Sequence, residues 1–448
     1  MSDTPLWDAV ERFRARGRAS FHMPGHKGNP PYDLGELFGH DLTEVEGVDS
    51  LYHASGPILK LERNYARLYG AKSSFLSAGG STLCIQAMLA LAAPRGKRVV
   101  LSRMVHASAV SAMALLGLEP CWIWPDTAQT AAQGLPGMAL PVTVRQVSAA
   151  LNACPDAAAV YLTSPDYMGQ LEPVAGIAQL CRAAGVPLLV DNAHGAHLGL
   201  LPGWAHPMQQ GADLCCDSLH KSLPVLTGGA MLHVGNSAYC GAARGAMALF
   251  GSTSPSYPIM LSADLALPYL RRRYAEEAAP VAAELARLRR AAAARGFAVA
   301  STEPMRLTLG FRGLGYTDQA FSRWLRGTVG VEPEFLEGGV CVLLASPRNT
   351  LDEIARLEHA VREIPPLDPL EPLRFLPQPP PVRMSLRQAV LSPRQTLPLT
   401  EGLLGRVAAL PVSACPPGIP LMVPGEELTP ALLSHLKKCG VKNLCVVK

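Results

Sequence analysis

Between residues 58 and 234 short apolar runs alternate with helical stretches, and this alternation constrains the fold more than any other property of the chain. Ile58 to Tyr69 reads as a helix, with Gly70 placed to cap its C-terminus. Ser73 to Leu76 reads as a strand, Thr82 to Ala93 as an apolar helix, Arg98 to Leu101 as a strand, and Ser108 to Leu116 as a helix ending at Gly117. Ala158–Thr163, Pro187–Val190, Asp213–Cys216 and Ala230–Val234 are further strand candidates, with a helix expected over Val174–Ala184. The strands are apolar on both faces. Such strands need helices above and below them, and helices between successive strands make parallel crossovers. The expected fold class is α/β, with a large domain built on a mostly parallel, doubly wound sheet.

The flanks read differently. Residues 1–55 are irregular after a first short helix whose Leu6, Val10 and Phe13 share one face, and the run FHMPGHKGNPPYD carries too many Pro, Gly and His residues for regular structure. Beyond residue 264, Arg271 to Arg295 reads as a long helix broken or kinked at Pro280. Arg306–Phe311 and Cys341–Ala345 read as strands of a smaller α+β domain closed by a helix over Leu351–Ile364, and Pro365–Pro381 as an extended connector. The expected division is an N-terminal segment 1–55, a large domain 56–265, a small α+β domain 266–375 and a C-terminal subdomain 376–448.

Composition excludes several classes. With 48% hydrophobic and 17% charged residues the chain has enough apolar content for a packed core. Lys plus Arg number 40 against 36 Asp plus Glu, and a net charge of +4, evenly spread, argues against nucleic acid or an anionic membrane as the main partner. No apolar run approaches the ~18 residues of a membrane span. Asp3, Asp8 and Glu11 interrupt the N-terminus, which has no signal-peptide core, so a cytoplasmic protein is expected. The 11 cysteines include no CxxC pair, so neither a disulfide framework nor a structural zinc site is expected, and no metal is assigned. Adjacent Cys215 and Cys216 read as buried strand thiols.

In open α/β sheets, ligands bind beyond the C-terminal ends of the strands. Asp191 ends the apolar run PLLVD and is followed by Asn192, Ala193 and His194. Ser218, His220 and Lys221 follow the run ADLCC, and His106 lies just past RVVLS. Gly79, Gly80, Ser81 and Thr82 stand between a strand and a helix, where backbone N–H groups face an anion; no GK[ST] follows, so this is not a Walker A loop. Each feature alone has an ordinary explanation: a snorkelling lysine, a capping aspartate, a turn, a satisfied histidine. In this order they suit one ligand, pyridoxal 5′-phosphate. A lysine would form an imine with its aldehyde, an aspartate would keep its ring nitrogen protonated, an aromatic ring would stack on it, and the turn with Ser218 would take the phosphate.

Asp191 to His194 and Ser218 to Lys221 stand within longer stretches, and the chain resembles the pyridoxal-phosphate-dependent ornithine/lysine/arginine decarboxylases, in the short form without an N-terminal wing domain. The matching stretches are FHMPGHKG (21–28), DLTEVEGVDSLYHASGPI (41–58), TSPDYMG (163–169), VDNAHGAH (190–197), DSLHKSLPVLTGGAMLH (217–233), STSPSY (252–257) and PPGIPLMVPGE (416–426). The resemblance implies a fold-type-I large domain with a mostly parallel seven-stranded sheet plus smaller α+β C-terminal domains. It implies that Lys221 bonds the cofactor covalently, that Asp191 pairs with the ring nitrogen, that His106 stacks on one ring face while Ala193 packs the other, and that His194 lies near the ring hydroxyl. Gly80, Ser81, Thr82, Ser218 and His220 would surround the phosphate, and Thr253 and Ser254 would reach it from a second subunit. A homodimer with a shared site, or a higher oligomer, is implied. Two positions depart from the family pattern: the run around the stacking histidine is Arg103-Met-Val-His106-Ala-Ser108, and Gly80 stands where the phosphate turn usually has Thr.

The implied reaction is decarboxylation of a basic amino acid, with Lys221, His220 and His194 all open as the proton donor. The substrate's distal cation needs an acceptor, and Glu44, Glu46, Asp49, Asp166, Glu332 and Glu426 are the candidates. The residues do not choose among arginine, lysine and ornithine. Another fold-type-I activity, an aminotransferase with Arg348 as carboxylate clamp or a carbon–sulfur lyase, and a non-catalytic cofactor-binding protein remain as alternatives.

Overall fold

The computed structural model describes residues 3–15, 36–124, 141–300, 302–371, 379–413 and 420–448. The FHMPGHKG stretch, part of the proline-rich connector and the start of PPGIPLMVPGE lie outside the described residues. The chain forms two compact units, residues 1–94 with 181–276, and residues 95–180 with 277–448.

Seven strands make up the α/β part: β1 (Ser73–Ser77), β2 (Arg98–Ser102), β3 (Glu119–Ile123), β4 (Ala157–Thr163), β5 (Leu188–Asp191), β6 (Leu214–Asp217) and β7 (Ala230–Val234). In the first unit the order is β1-β7-β6-β5, with β5 and β6 parallel and β7 antiparallel to both its neighbours. In the second the order is β4-β2-β3, all parallel. Every residue of β4, β5, β6 and β7 is buried, as strands apolar on both faces require. Gly70 and Gly117 cap their helices in the left-handed conformation, both at φ 71°. β3 is a strand that the sequence pattern did not mark. Its Pro120 offers no N–H, which a terminal strand of the order tolerates.

The expected break at Pro280 is displaced. Helices run over Tyr257–Arg272 and Tyr274–Arg295, so the interruption falls at Arg273 and Pro280 lies inside the second helix. The reason is tertiary: Ala278, Val281, Leu285 and Leu288 form a buried seam across the proline, while Tyr274 is buried at the break and its hydroxyl donates to the Ser222 carbonyl at 3.3 Å. The cysteine reading is corrected at one pair. Cys121 on β3 and Cys154, just past the Val144–Ala153 helix, are joined in a disulfide, brought together by helix–strand packing across 33 residues.

In the second unit β8 (Ala298–Val299), β9 (Arg306–Gly310), β10 (Phe335–Glu337) and β11 (Val340–Leu344) form an antiparallel sheet in the order β10-β11-β9-β8. A capping box of Thr350 and Glu353 starts the Leu351–Glu363 helix. Further on, β12 (Arg394–Pro398), β13 (Val412–Ser413), β14 (Pro420–Met422) and β15 (Asn443–Val447) form two antiparallel pairs, β12 with β15 and β13 with β14. The Pro430–Lys438 helix contributes Leu432, Leu433 and Leu436 to a local core with Leu444 and Val446. No helix of the described residues is long and apolar enough to cross a membrane.

Candidate active site

β5 and β6 are parallel neighbours, with Asp191 opposite Cys216, so their C-terminal ends open at the same edge. Asp191 is the last residue of β5 and is buried. Its Oδ1 accepts the Ala193 N–H at 3.1 Å and the Cys216 thiol at 3.5 Å. Burial, with the Asp191 charge beside it, pushes the Cys216 thiol well up, so it stays a donor. One residue past β6, Ser218 starts the single turn Leu219–Ser222 that carries Lys221. Lys221 Nζ lies 3.0 Å from His194 Nε2, which brings the chemistry-bearing ends of both strands together.

The other end of the site is the junction of β1 with the Gly80–Ala92 helix. Gly79 stands at the N-cap of this helix and offers no side chain to its first-turn N–H groups, which have no intrahelical acceptor. Ser77 Oγ accepts the Gly79 N–H at 3.1 Å and donates to the Gly80 carbonyl at 3.1 Å, while the Gly80 N–H donates to the Gly228 carbonyl at 2.8 Å. Gly80 has φ 70°, and a Cβ there would meet nothing within 4 Å. The backbone conformation, not lack of space, therefore favours glycine where the family pattern has Thr. Ser218 Oγ donates to Ser81 Oγ at 2.7 Å, so a hydroxyl from the lysine turn meets one from the helix start. Thr82 is exposed in the same turn. The His220 ring is turned to the Gly229 carbonyl, 3.0 Å from its Nδ1. Thr253 and Ser254 are exposed, the latter with its N–H on Ser252 Oγ at 3.1 Å.

This donor set fits a phosphorylated aldehyde on a basic heterocycle: an amine, a buried carboxylate one strand away, and a helix start with two hydroxyls and open N–H groups. In the second unit His106 stands at the N-cap of the Ala107–Leu116 helix, its Nδ1 accepting the Ser108 N–H at 3.1 Å with Ser108 Oγ at 2.7 Å. These contacts leave the ring proton on Nε2 and hold the ring's orientation.

The candidate substrate carboxylates divide. Asp49, at φ 99°, accepts the N–H groups of Ser50, Ser55, Gly56 and Ile58 at 2.8 to 3.1 Å and so ties its loop to the start of the Pro57–Tyr69 helix. Glu44 accepts the Ser50 hydroxyl, and Glu46 is exposed. Asp166 is buried, holds the Gln170 N–H and side-chain amide at 2.8 and 3.1 Å, and is pushed up to about 6 by burial. Glu332 is 73% exposed and pairs with Arg326. Glu426 is 1% exposed, and its Oε2 lies 2.8 Å from Arg103 Nη2. The last two thus face an arginine of this chain. Arg348, the clamp an aminotransferase would need, is exposed and pairs with Glu277. One cluster went unassigned in the sequence, although the stretch 217–233 holds two of its members: His206, Asp217 and His233 meet in the interior.

The family model described as Orn/Lys/Arg decarboxylase, major domain, matches residues 4–306. An uncharacterized protein of Bacillus subtilis is 31% identical, over 97% of this chain and 94% of its own. An arginine decarboxylase of the same organism is 28% identical over 97% of this chain and 93% of its own. Among solved structures, the constitutive lysine decarboxylase of E. coli superposes with a TM-score of 0.78 at 19% identity, covering 99% of this chain and 82% of that one. Lysine decarboxylase A from Pseudomonas aeruginosa gives 0.80 at 21% identity, covering 98% and 76%. These likenesses show the expected fold.

Proposed function

Because the chain belongs to the Orn/Lys/Arg decarboxylase family, and is thereby a pyridoxal-phosphate-dependent amino-acid decarboxylase, we propose that it releases CO2 from a basic amino acid and that Lys221 and Asp191 carry the chemistry. The observation that carries the residue assignment is the approach of Lys221 Nζ to His194 Nε2, 3.0 Å, beside the buried Asp191. When bound, the cofactor supplies a cationic ring that accepts the electron pair left as CO2 departs.

The protein's own residues do the rest. Lys221 would hold the cofactor covalently, and its amine, once free, is the group that stands beside His194. Asp191, buried at the end of its strand, would keep a proton on the ring nitrogen. The start of the Gly80–Ala92 helix, with Ser81, Thr82 and Ser218, would hold the phosphate. His194 takes or returns a proton at Lys221 Nζ. The resemblance implies that His106 and Ala193 would pack against the ring. Thr253 and Ser254, exposed in this chain, serve a second subunit, so the working form is a homodimer. A cytoplasmic location goes with this reading. Arginine is the favoured substrate, because the 28% identical relative named for that activity matches 97% of this chain. The Glu44–Asp49 loop is the favoured side for the distal cation.

The test supplies arginine, lysine and ornithine separately and measures amine and CO2. The expected result is one amine formed without any keto acid. Turnover that requires a keto-acid acceptor would replace the reading with an aminotransferase, and no turnover of any of the three would remove the substrate class.

A further inference from the structure

Asp217 is the last residue of β6, and the turn carrying Ser218, His220 and Lys221 begins immediately after it. Asp217, His206 and His233 are each fully buried. His206 Nε2 lies 3.1 Å from both carboxylate oxygens, His233 Nε2 lies 3.2 Å from Oδ2, and the Asn192 amide donates to Oδ1 at 2.7 Å. Two imidazoles and a carboxylate with ligand atoms within 4.8 Å of one another have the composition of a metal centre.

The outer hydrogen bonds point elsewhere. The Met208 backbone N–H donates to His206 Nδ1 at 3.2 Å, so that nitrogen presents a lone pair and the ring proton sits on Nε2, facing Asp217. A metal on Nε2 would need the proton on Nδ1, against another N–H. Burial lowers the pKa of His233 and keeps it neutral; its Nε2 carries the proton that a carboxylate can accept, and Ser74 Oγ, 2.7 Å from Nδ1, donates on the other side. Burial alone would push the Asp217 carboxyl up, but the two histidines more than offset this and hold it below the usual carboxylate range. Asp217 is a buried anion receiving three N–H donors.

We propose that Asp217 is a positioning residue for Lys221, pinning the lysine turn to Asn192, the neighbour of Asp191, so that amine and ring-nitrogen carboxylate keep a fixed separation. This rests on the reading of Lys221 and Asp191 as the cofactor residues. The Asn192 amide places its donor on Asp217 although its own Oδ1 is buried and makes no hydrogen bond among the described residues. That orientation indicates that the Asp217 contact dominates. The Tyr69 ring packs against both histidines, at 4.5 and 4.9 Å between centroids, and its hydroxyl is tied to the Ala196 carbonyl at 2.8 Å. The histidines are thereby held in place, and only three residues, Ser218 to His220, separate the anchored Asp217 from Lys221.

The test strips the full chain of cofactor and remixes it with pyridoxal 5′-phosphate in a stopped-flow spectrophotometer, resolving non-covalent binding from the slower bond to Lys221. Asp217→Asn and Asn192→Ala are expected to slow the covalent phase about tenfold or more while non-covalent affinity changes little, with a lower melting temperature in Asp217→Asn, whose amide leaves buried N–H donors short of an acceptor. A covalent phase within about twofold of the parent, or equal losses in both phases, would leave Asp217 merely structural and overturn the proposal. Should Asp217→Asn not fold, Asn192→Ala, which removes one of three donors, decides alone. Lys221→Ala is the separate control: a covalent phase surviving there would refute the lysine assignment, not the positioning role.

Discussion

Glu426→Gln separates a structural from a substrate-binding carboxylate. Arg103 and Glu426 are both 1% exposed and 2.8 Å apart, and Arg103 Nη1 makes no hydrogen bond among the described residues. The Arg103 guanidinium lies 4.9 Å from the Trp122 ring and 5.4 Å from that of Trp124. Removing one partner of a buried ion pair costs about 3–5 kcal/mol, because the other charge stays buried without compensation. The Val423 N–H, 2.8 Å from Oε2, still finds an acceptor in the glutamine carbonyl, and the two indoles still face the cation. The expected loss is therefore near the lower bound, about 3 kcal/mol. Urea denaturation followed by tryptophan fluorescence measures it, with Trp122 and Trp124 as adjacent reporters. The double change Arg103→Met with Glu426→Leu should recover most of the loss, since no charge is then buried. Unchanged stability in Glu426→Gln together with a raised KM for the amino acid would refute the reasoning and return Glu426 to substrate binding.

Other outcomes follow from the site and from one buried acid. Lys221→Ala should abolish turnover and the borohydride-trappable bond to the cofactor; activity within tenfold of the parent would end the assignment. Asp191→Asn should still bind cofactor but lower kcat by about 10²–10³, the scale for losing one preorganised electrostatic partner, and near-normal kcat would give Asp191 another role. Asp264 is buried, and burial pushes its carboxyl up to about 7 although the Trp7 and Leu6 N–H groups oppose this. A folded pKa above the ordinary 3.8 means that the folded chain holds this proton more tightly than the unfolded one, so stability falls as pH rises from about 4 to 7, by about 4 kcal/mol at full effect. Asp264→Asn should lack that slope and exceed the parent in stability at pH 8; parallel urea midpoints at pH 5 and 8 would show that Asp264 stays charged in the fold.

The alternation of apolar runs and helices, the glycine caps at 70 and 117, and the order of turn, histidine, aspartate and lysine are short-range properties, each written within a few residues. Period, cap chemistry and strand-end position do not depend on distant partners, so they were legible before any coordinate. The helix from Tyr274 instead passes through Pro280 because a buried seam runs across it. β3 exists because β2 supplies its partner, and Cys121 meets Cys154 because a helix packs on that strand. The carboxylates were the least legible part. Glu426 reads as a motif residue until Arg103, 323 positions away, is set against it, and Asp217 reads only as the first residue of a matched stretch until two histidines and an asparagine close around it. The local pattern specified which residues stand at strand ends. Which of their charges are buried, and what each one faces, depends on distances between segments far apart in the chain, and those exist only once the chain has packed.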